Sequence, residues 1–298
     1  MTSIVVFGDV NVDVVSRLAG EINVESDANV TTRIAIGGSP CNMAAWIAHA
    51  GHQVSLLSAV ADDDLGVWIR NKLNHAGIAT THVQTVAGDH TGTCVIMVDA
   101  HGKRTMFPDF GANLRIAITQ PFVERIKQAD VLVLSAYTFL RPETAQQAKD
   151  AVALARGSGT CVVIDAASSA PILATGPALV REFLESADIL FANDDEVAAL
   201  TSDGATDWLG TRSNLIIKHG PGGASWWSRG LLVAQVPAPA VTVVDTTGAG
   251  DALCAGVVGA LSSEGSWFDI PVEIKFNALR LAVDLASRCC IQLGAWPR

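Results

Sequence analysis

Six short, almost wholly apolar runs mark this chain: Ile4–Gly8, Val54–Ser58, Val131–Ser135, Cys161–Asp165, Ile189–Phe191 and Leu215–Lys218. Helical stretches lie between them, at Cys41–Ala50, Leu65–Ala76, Pro142–Arg156, Pro177–Glu185 and Gly248–Ser262. Apolar strands without polar alternation, separated by helices, imply a mostly parallel sheet covered on both faces, an α/β fold. No repeat, low-complexity tract or linker divides the sequence, so one domain over residues 1–298 is expected.

Two segments break the alternation. Val14–Ile36 mixes polar and apolar residues without a helical period, and Thr91–Phe107 alternates around a turn at Ala100-His101-Gly102-Lys103. Both read as strands outside the main sheet. They are expected to form a small β lid, approximately residues 14–36 and 91–107, over the open end of the strands, where open α/β sheets bind ligands. Ordinary surface hairpins are the alternative.

Hydrophobic residues make up 49% of the 298, enough for a sizeable core. The formal net charge of −10 argues against nucleic-acid binding and against a polybasic membrane contact. No apolar run reaches the ~18 residues of a spanning helix. The N-terminus enters a core strand without a basic region, and the six cysteines form no C-x-x-C pair. A cytoplasmic location with reduced cysteines is the expectation.

The chemistry concentrates in Val243-Val244-Asp245-Thr246-Thr247-Gly248-Ala249-Gly250-Asp251-Ala252-Leu253-Cys254-Ala255-Gly256. It reads as a strand end, a small-residue turn and a helix start. Backbone N–H groups of Gly248, Ala249 and Gly250 at a helix N-terminus make an anion site. Asp251 beside it is expected to stay ionised. A carboxylate next to an anion hole suits the acceptance of a hydroxyl proton while the hole stabilises charge on a transferred phosphoryl group.

The stretch Asp245–Gly256 resembles the C-terminal signature of the ribokinase-like, or PfkB, family of carbohydrate kinases. Gly37-Gly38-Ser39-Pro40-Cys41-Asn42-Met43-Ala44 resembles the N-terminal signature, and Asn193-Asp194-Asp195-Glu196 the N-x-x-E motif. The three stand in family order across nearly the whole chain. The resemblance implies a ribokinase-like three-layer sandwich with a central mostly parallel sheet and a β lid. It also implies ATP-dependent phosphorylation of a primary hydroxyl of a small sugar or polyol.

By the same resemblance, Asp251 is the base and Gly248, Ala249 and Gly250 the anion hole. Asn11, Asp13, Gly38 and Asn42 are sugar contacts. Lys218, Gly220, Gly223 and Asn277 are expected around the nucleotide with Asn193, and Glu196 holds magnesium-bound phosphate through water. Asp245 and Thr247 stand where many members bind potassium, with Gly294 across the loop. Arg104 on the lid is a further candidate substrate contact, and a homodimer through the lid is the implied assembly. At Ser39 and Ser135 the chain departs from ribokinase proper, which carries a lysine and an acidic residue at sugar-facing positions. The sugar is therefore open.

Plainer roles stand beside several of these: a turn or cap for Asp13, a helix-start cap for Asn42, a first-turn acid for Glu196. A nucleoside kinase, including a pseudouridine-type one with Phe107 or Phe110 as an apolar wall, and a catalytically silent sugar or nucleotide sensor are the alternative functions. Asp109-Phe110-Gly111 stands without the other protein-kinase motifs, and no Walker A sequence is present. His49 and His52 lack a third ligand, and Asp62-Asp63-Asp64 reads as the start of a helix.

Overall fold

The computed structural model describes residues 2–20, 25–99, 104–265 and 267–298. Thirteen strands form among them: β1 (Ile4–Phe7), β2 (Asn11–Leu18), β3 (Val30–Gly37), β4 (Val54–Ala61), β5 (Val83–Val86), β6 (Thr93–Val98), β7 (Arg104–Asp109), β8 (Val131–Ser135), β9 (Cys161–Asp165), β10 (Ile189–Asn193), β11 (Leu215–Lys218), β12 (Ala224–Ser228) and β13 (Leu231–Val236). The helices are α1 (Ser39–His49), α2 (Asp64–His75), α3 (Gln120–Lys127), α4 (Ala145–Gly157), α5 (Ser169–Thr175), α6 (Pro177–Leu184), α7 (Asp194–Leu200), α8 (Asp207–Gly210), α9 (Ala249–Glu264) and α10 (Val272–Cys290). The expected turn at Ala100-His101-Gly102-Lys103 lies outside the described residues.

Nine strands make the large sheet in the order β13-β12-β11-β10-β9-β8-β1-β4-β5. Every pairing from β11 to β5 is parallel; β11, β12 and β13 pair antiparallel. Alternate residues of one strand feed different cores. Ile4 and Val6 pack with α1, α2, α9 and α10, whereas Val5 and Phe7 pack with α3, α4, α6 and α7. Burial on both faces is why these runs are apolar throughout.

The second sheet, β3-β2-β6-β7, is separate. Cross-strand register aligns Ala35, Asp13, Cys94 and Pro108 in one row, and Ile34, Val14, Val95 and Phe107 in the next. Adjacent rows point to opposite faces. Asp13 and, four residues along β7 from Pro108, Arg104 therefore share a face.

Two local expectations fail. No strand precedes the Gly-rich turn: residues 238–247 are irregular, and the Val244 and Asp245 amides bond the Cys290 carbonyl at 2.8 and 3.2 Å. The sheet already ends at β13, so this segment takes its hydrogen bonds from the end of α10 instead. The β12–β13 hairpin was not anticipated either. Its Trp226 is wholly buried against α10, a tertiary contact without local periodicity. Among the described residues no helix is long and apolar enough to cross a membrane.

Candidate active site

Strand β1 has β4 on one side and β8 on the other, and the chain then proceeds outward in both directions. Such a reversal opens a crevice at the carboxyl ends of the strands. Strands β8 to β11 all finish there in a polar residue: Ser135, Asp165, Asn193 and Lys218.

Asp251 stands in the first turn of α9, and both of its carboxylate oxygens are held. The Ser39 hydroxyl donates to Oδ1 at 2.7 Å and the Asn42 amide to Oδ2 at 2.8 Å. The two donors come from α1, whose start at Gly38 (φ 95°) passes so close to the Asp9 carbonyl that a side chain would collide with it. Burial pushes the Asp251 pKa up to about 7; the Ser39 and Asn42 bonds and the Lys218 charge pull against it, and Asp165 adds to it. The expectation of a fully ionised group is thus corrected, because a helix N-terminus does not offset burial this deep. Asn42 does not cap α1, and in this structure its amide is spent on Asp251. Ser39 was read only as a departure from a family pattern, yet it bonds the candidate base.

Gly248 adopts the left-handed conformation (φ 81°) as N-cap of α9, and no side chain caps the helix. The Ala249 amide turns back to the Thr246 carbonyl at 3.3 Å, so the uncommitted first-turn donors are those of Gly250 and Asp251. Lys218 closes the other side: its Nζ lies 3.4 Å from where a Cβ on Gly250 would stand. The ammonium bonds Asp165 at 2.5 Å and lies 3.9 Å from Glu196. Burial disfavours its charge, but Asp165 and Glu196 outweigh that and raise its pKa. Burial also lifts Glu196 to about 7, against the pull of Lys218. Asp165 was missed by sequence reading; as the last residue of a buried strand it carries no motif of its own.

Asn193 and Glu196 form a reciprocal capping box on α7, with three bonds of 2.8 Å between them. The plain structural role of Glu196 is therefore present. Among the described residues no three His, Cys, Asp or Glu side chains converge to hold a metal by themselves.

Beside Gly250 opens a cleft of about 590 Å³. Asn193, Lys218, Gly220 and Gly223 line it, with Pro221, Ala238, Pro239, Val241, Val243, Val283 and Ala286 forming apolar walls. Asn277 is exposed and is not among the lining residues. Helix α10 meets the cleft two turns later, at Val283, Ala286, Ser287 and Cys290, so its assignment is corrected.

On the other side of Asp251 lie Asn11 and Asp13. The Asn11 side-chain Oδ1 accepts from the Asn113 side-chain amide at 2.8 Å, and the Asn113 side chain also accepts from the Val10 amide and donates to the Val10 carbonyl. The Asp13 carboxylate lies against Gly37, where any Cβ would overlap it, and burial pushes its pKa up to about 7. Asp13 caps no helix. Nearby, Arg141 pairs with Asp9 at 2.6 Å, stacks 3.8 Å from the Phe110 ring, and keeps a buried Nη1 without a partner. Arg141 was not singled out in the sequence, since nothing local distinguishes it from a helix-start arginine.

Arg104 does not reach toward Asp13. Its guanidinium bonds the Thr246 hydroxyl at 3.1 Å and the Thr247 hydroxyl, and lies 3.6 Å from Asp245. Asp245 itself accepts from the Thr247 amide and hydroxyl at 2.9 and 2.6 Å and, as expected across the loop, from the Gly294 amide at 3.0 Å. A potassium ion would need these same oxygens beside a guanidinium, so the residues present do not fit one.

Three carboxylates here have pKa values near 7: Asp13, Glu196 and Asp251. Each binds its proton more tightly folded than unfolded. Their contribution to stability is therefore full below the unfolded pKa and is lost as pH rises through about 7. Activity should run the opposite way, falling as pH drops through about 7 because a base must be ionised. Melting curves and kcat/KM measured from pH 5.5 to 8.5 should diverge; parallel profiles would contradict this.

Uncommitted amides at a helix N-terminus, an ammonium, an apolar cleft and a held carboxylate next to it in sequence are the groups that a nucleotide-dependent small-molecule kinase needs. The profile of the pfkB family carbohydrate kinases matches residues 1–292. The ATP-dependent ribose-1-phosphate kinase of Halopiger xanaduensis is 32% identical over 89% of this chain and 86% of its own length. The ribokinase of Haemophilus influenzae is 26% identical over 86% of this chain and 83% of its own. The fold of Sinorhizobium meliloti adenosine kinase superposes with a TM-score of 0.84 at 23% identity, covering 99% of this chain and 96% of that one. The chain belongs to the pfkB family of carbohydrate kinases, and is an ATP-dependent sugar kinase of ribokinase fold.

Proposed function

We propose that Asp251 removes the proton from a primary hydroxyl of a small sugar, whose oxygen then attacks the γ-phosphorus of ATP. The O–P bond forms as the bond to the departing ADP oxygen breaks, and the proton stays on Asp251. The observation that carries this is the two-point hold on Asp251 from Ser39 and Asn42, one residue on from Gly250, which lines the cleft. The Gly250 and Asp251 amides and the Lys218 ammonium stabilise the negative charge on the transferred group. Magnesium would come on the nucleotide phosphates, neutralising their charge, and be held through water by Glu196.

Asn11, Asp13 and Arg141 form the sugar side. The free Nη1 of Arg141 favours a substrate oxygen acceptor there, and the 32% identical relative takes ribose 1-phosphate, so a pentose or its 1-phosphate heads the substrate list. The apolar row Ile34, Val95 and Phe107, each more than 40% exposed, supports pairing of two lids in a homodimer. A cytoplasmic site fits the six unpaired cysteines.

The test is ADP release with ATP and a panel of ribose, ribose 1-phosphate, fructose, a keto-sugar acid, adenosine and inosine. A sugar or sugar phosphate should be turned over fastest. Arg141→Ala should raise KM for it by about 10-fold or more, the worth of one hydrogen bond to a charged donor. Preference for a nucleoside would overturn the sugar reading.

A further inference from the structure

The loop before α9 is in contact with the lid. Arg104, on the Asp13 face of the small sheet, reaches Thr246, Thr247 and Asp245. Arg33, on that same face by register with Val15, donates to the Leu293 carbonyl at 3.0 Å. The next residue, Gly294, donates its amide to Asp245. Two lid arginines thus grip the two loops that meet at Asp245.

The oxygens at this junction are already engaged. The Thr247 hydroxyl donates to Asp245 and accepts from Arg104, and the Thr247 carbonyl accepts from the Cys289 thiol at 3.3 Å. The Cys290 carbonyl accepts two amides. The junction already contains a fixed positive charge, delivered in a fork that contacts three consecutive residues, a geometry a spherical ion lacks.

We infer that Arg104 is a built-in cation: its guanidinium orders the Asp245–Thr247 turn, and through it the Gly250 and Asp251 amides, in place of a monovalent metal ion. Because Arg104 belongs to the lid, the anion hole is completed only when the lid covers the sugar side. Arg104 is a positioning residue, since it touches the turn and not the transferred group. This rests on the kinase reading of the cleft.

The experiment compares wild type, Arg104→Ala and Arg104→Lys at equal ionic strength in potassium, sodium and tetramethylammonium chloride. Two readouts are taken: the melting temperature, and kcat and KM for ATP with the sugar of the panel that is turned over fastest. Wild type should melt and turn over equally in all three salts. Arg104→Ala should lose on the order of 10²-fold in kcat, the scale of one misplaced oxyanion donor, with little change in KM. It should also recover part of that loss, and gain melting temperature, in potassium or in added guanidinium. Arg104→Lys should fall between. Wild type that is several-fold faster or more stable in potassium than in tetramethylammonium overturns the proposal, as does Arg104→Ala with unchanged kcat. The melting arm needs no substrate. A failure of the sugar panel alone therefore counts against the proposed substrate class and not against the arginine.

Discussion

Asp251→Asn is expected to lower kcat by ~10²–10⁴-fold, the usual cost of losing a general base. ATP binding should persist, because the cleft walls and Lys218 are untouched. The substitution is nearly isosteric and its surroundings can adapt. The Ser39 hydroxyl can reverse from donor to acceptor, and the Asn42 amide oxygen is buried without a partner. The variant should therefore fold, and above pH 7 it should be more stable than wild type, because the ionised carboxylate it removes is held at a cost shown by its raised pKa. Calorimetric ATP titration and steady-state kinetics on one preparation check this. Near wild-type kcat would remove Asp251 from the role of base.

The second large effect belongs to Asp13. Asp13→Ala should reduce kcat/KM for every accepted sugar by roughly 10²–10⁴-fold, as two charge-assisted hydroxyl bonds are lost. ATP affinity should not change. The stability sign separates this from a structural role. A buried carboxylate with its pKa pushed up to about 7 lowers stability when ionised, so at pH 8 the melting temperature should hold or rise. A lower melting temperature with normal kinetics would show that Asp13 is architectural. The position explains the tolerance of such a costly group: Gly37, diagonal to Asp13 across the β2–β3 pair and the register partner of Asn11, makes room for the carboxylate.

The activity class was legible because it depends on short segments that carry their own geometry. A glycine turn into a helix N-terminus leaves backbone amides open to an anion, and Asp251 sits in that helix's first turn. The five expected helices and all six main strands appear with boundaries shifted by at most three residues. Their apolar runs are buried on both faces, and burial is the strongest local signal a sequence carries. Strand β6 was readable for the opposite reason: in a one-sided sheet burial alternates, as it does from buried Cys94 through exposed Val95 to buried Ile96.

What the sequence could not show is which groups meet across distance. Asp251 and Ser39 are 212 positions apart, and only the packing of α1 against α9 joins them. Asp165 becomes the partner of Lys218 because β9 and β11 flank β10 in one sheet, a fact of strand order. Asn277 failed as a cleft residue because helix periodicity tells which residues share a face, but not how far along a neighbouring cleft the helix runs. Arg104 was read as a substrate contact because its place on the lid is local information; its grip on Thr246 and Asp245, more than 140 positions away, is not. Sequence by itself determined the parallel strands, the helices named at the outset and the chemistry that each can offer. Tertiary structure decided which charges are buried together, and therefore which carboxylate is poised near neutral pH, since burial and neighbouring charge are set by contacts between segments distant in the chain.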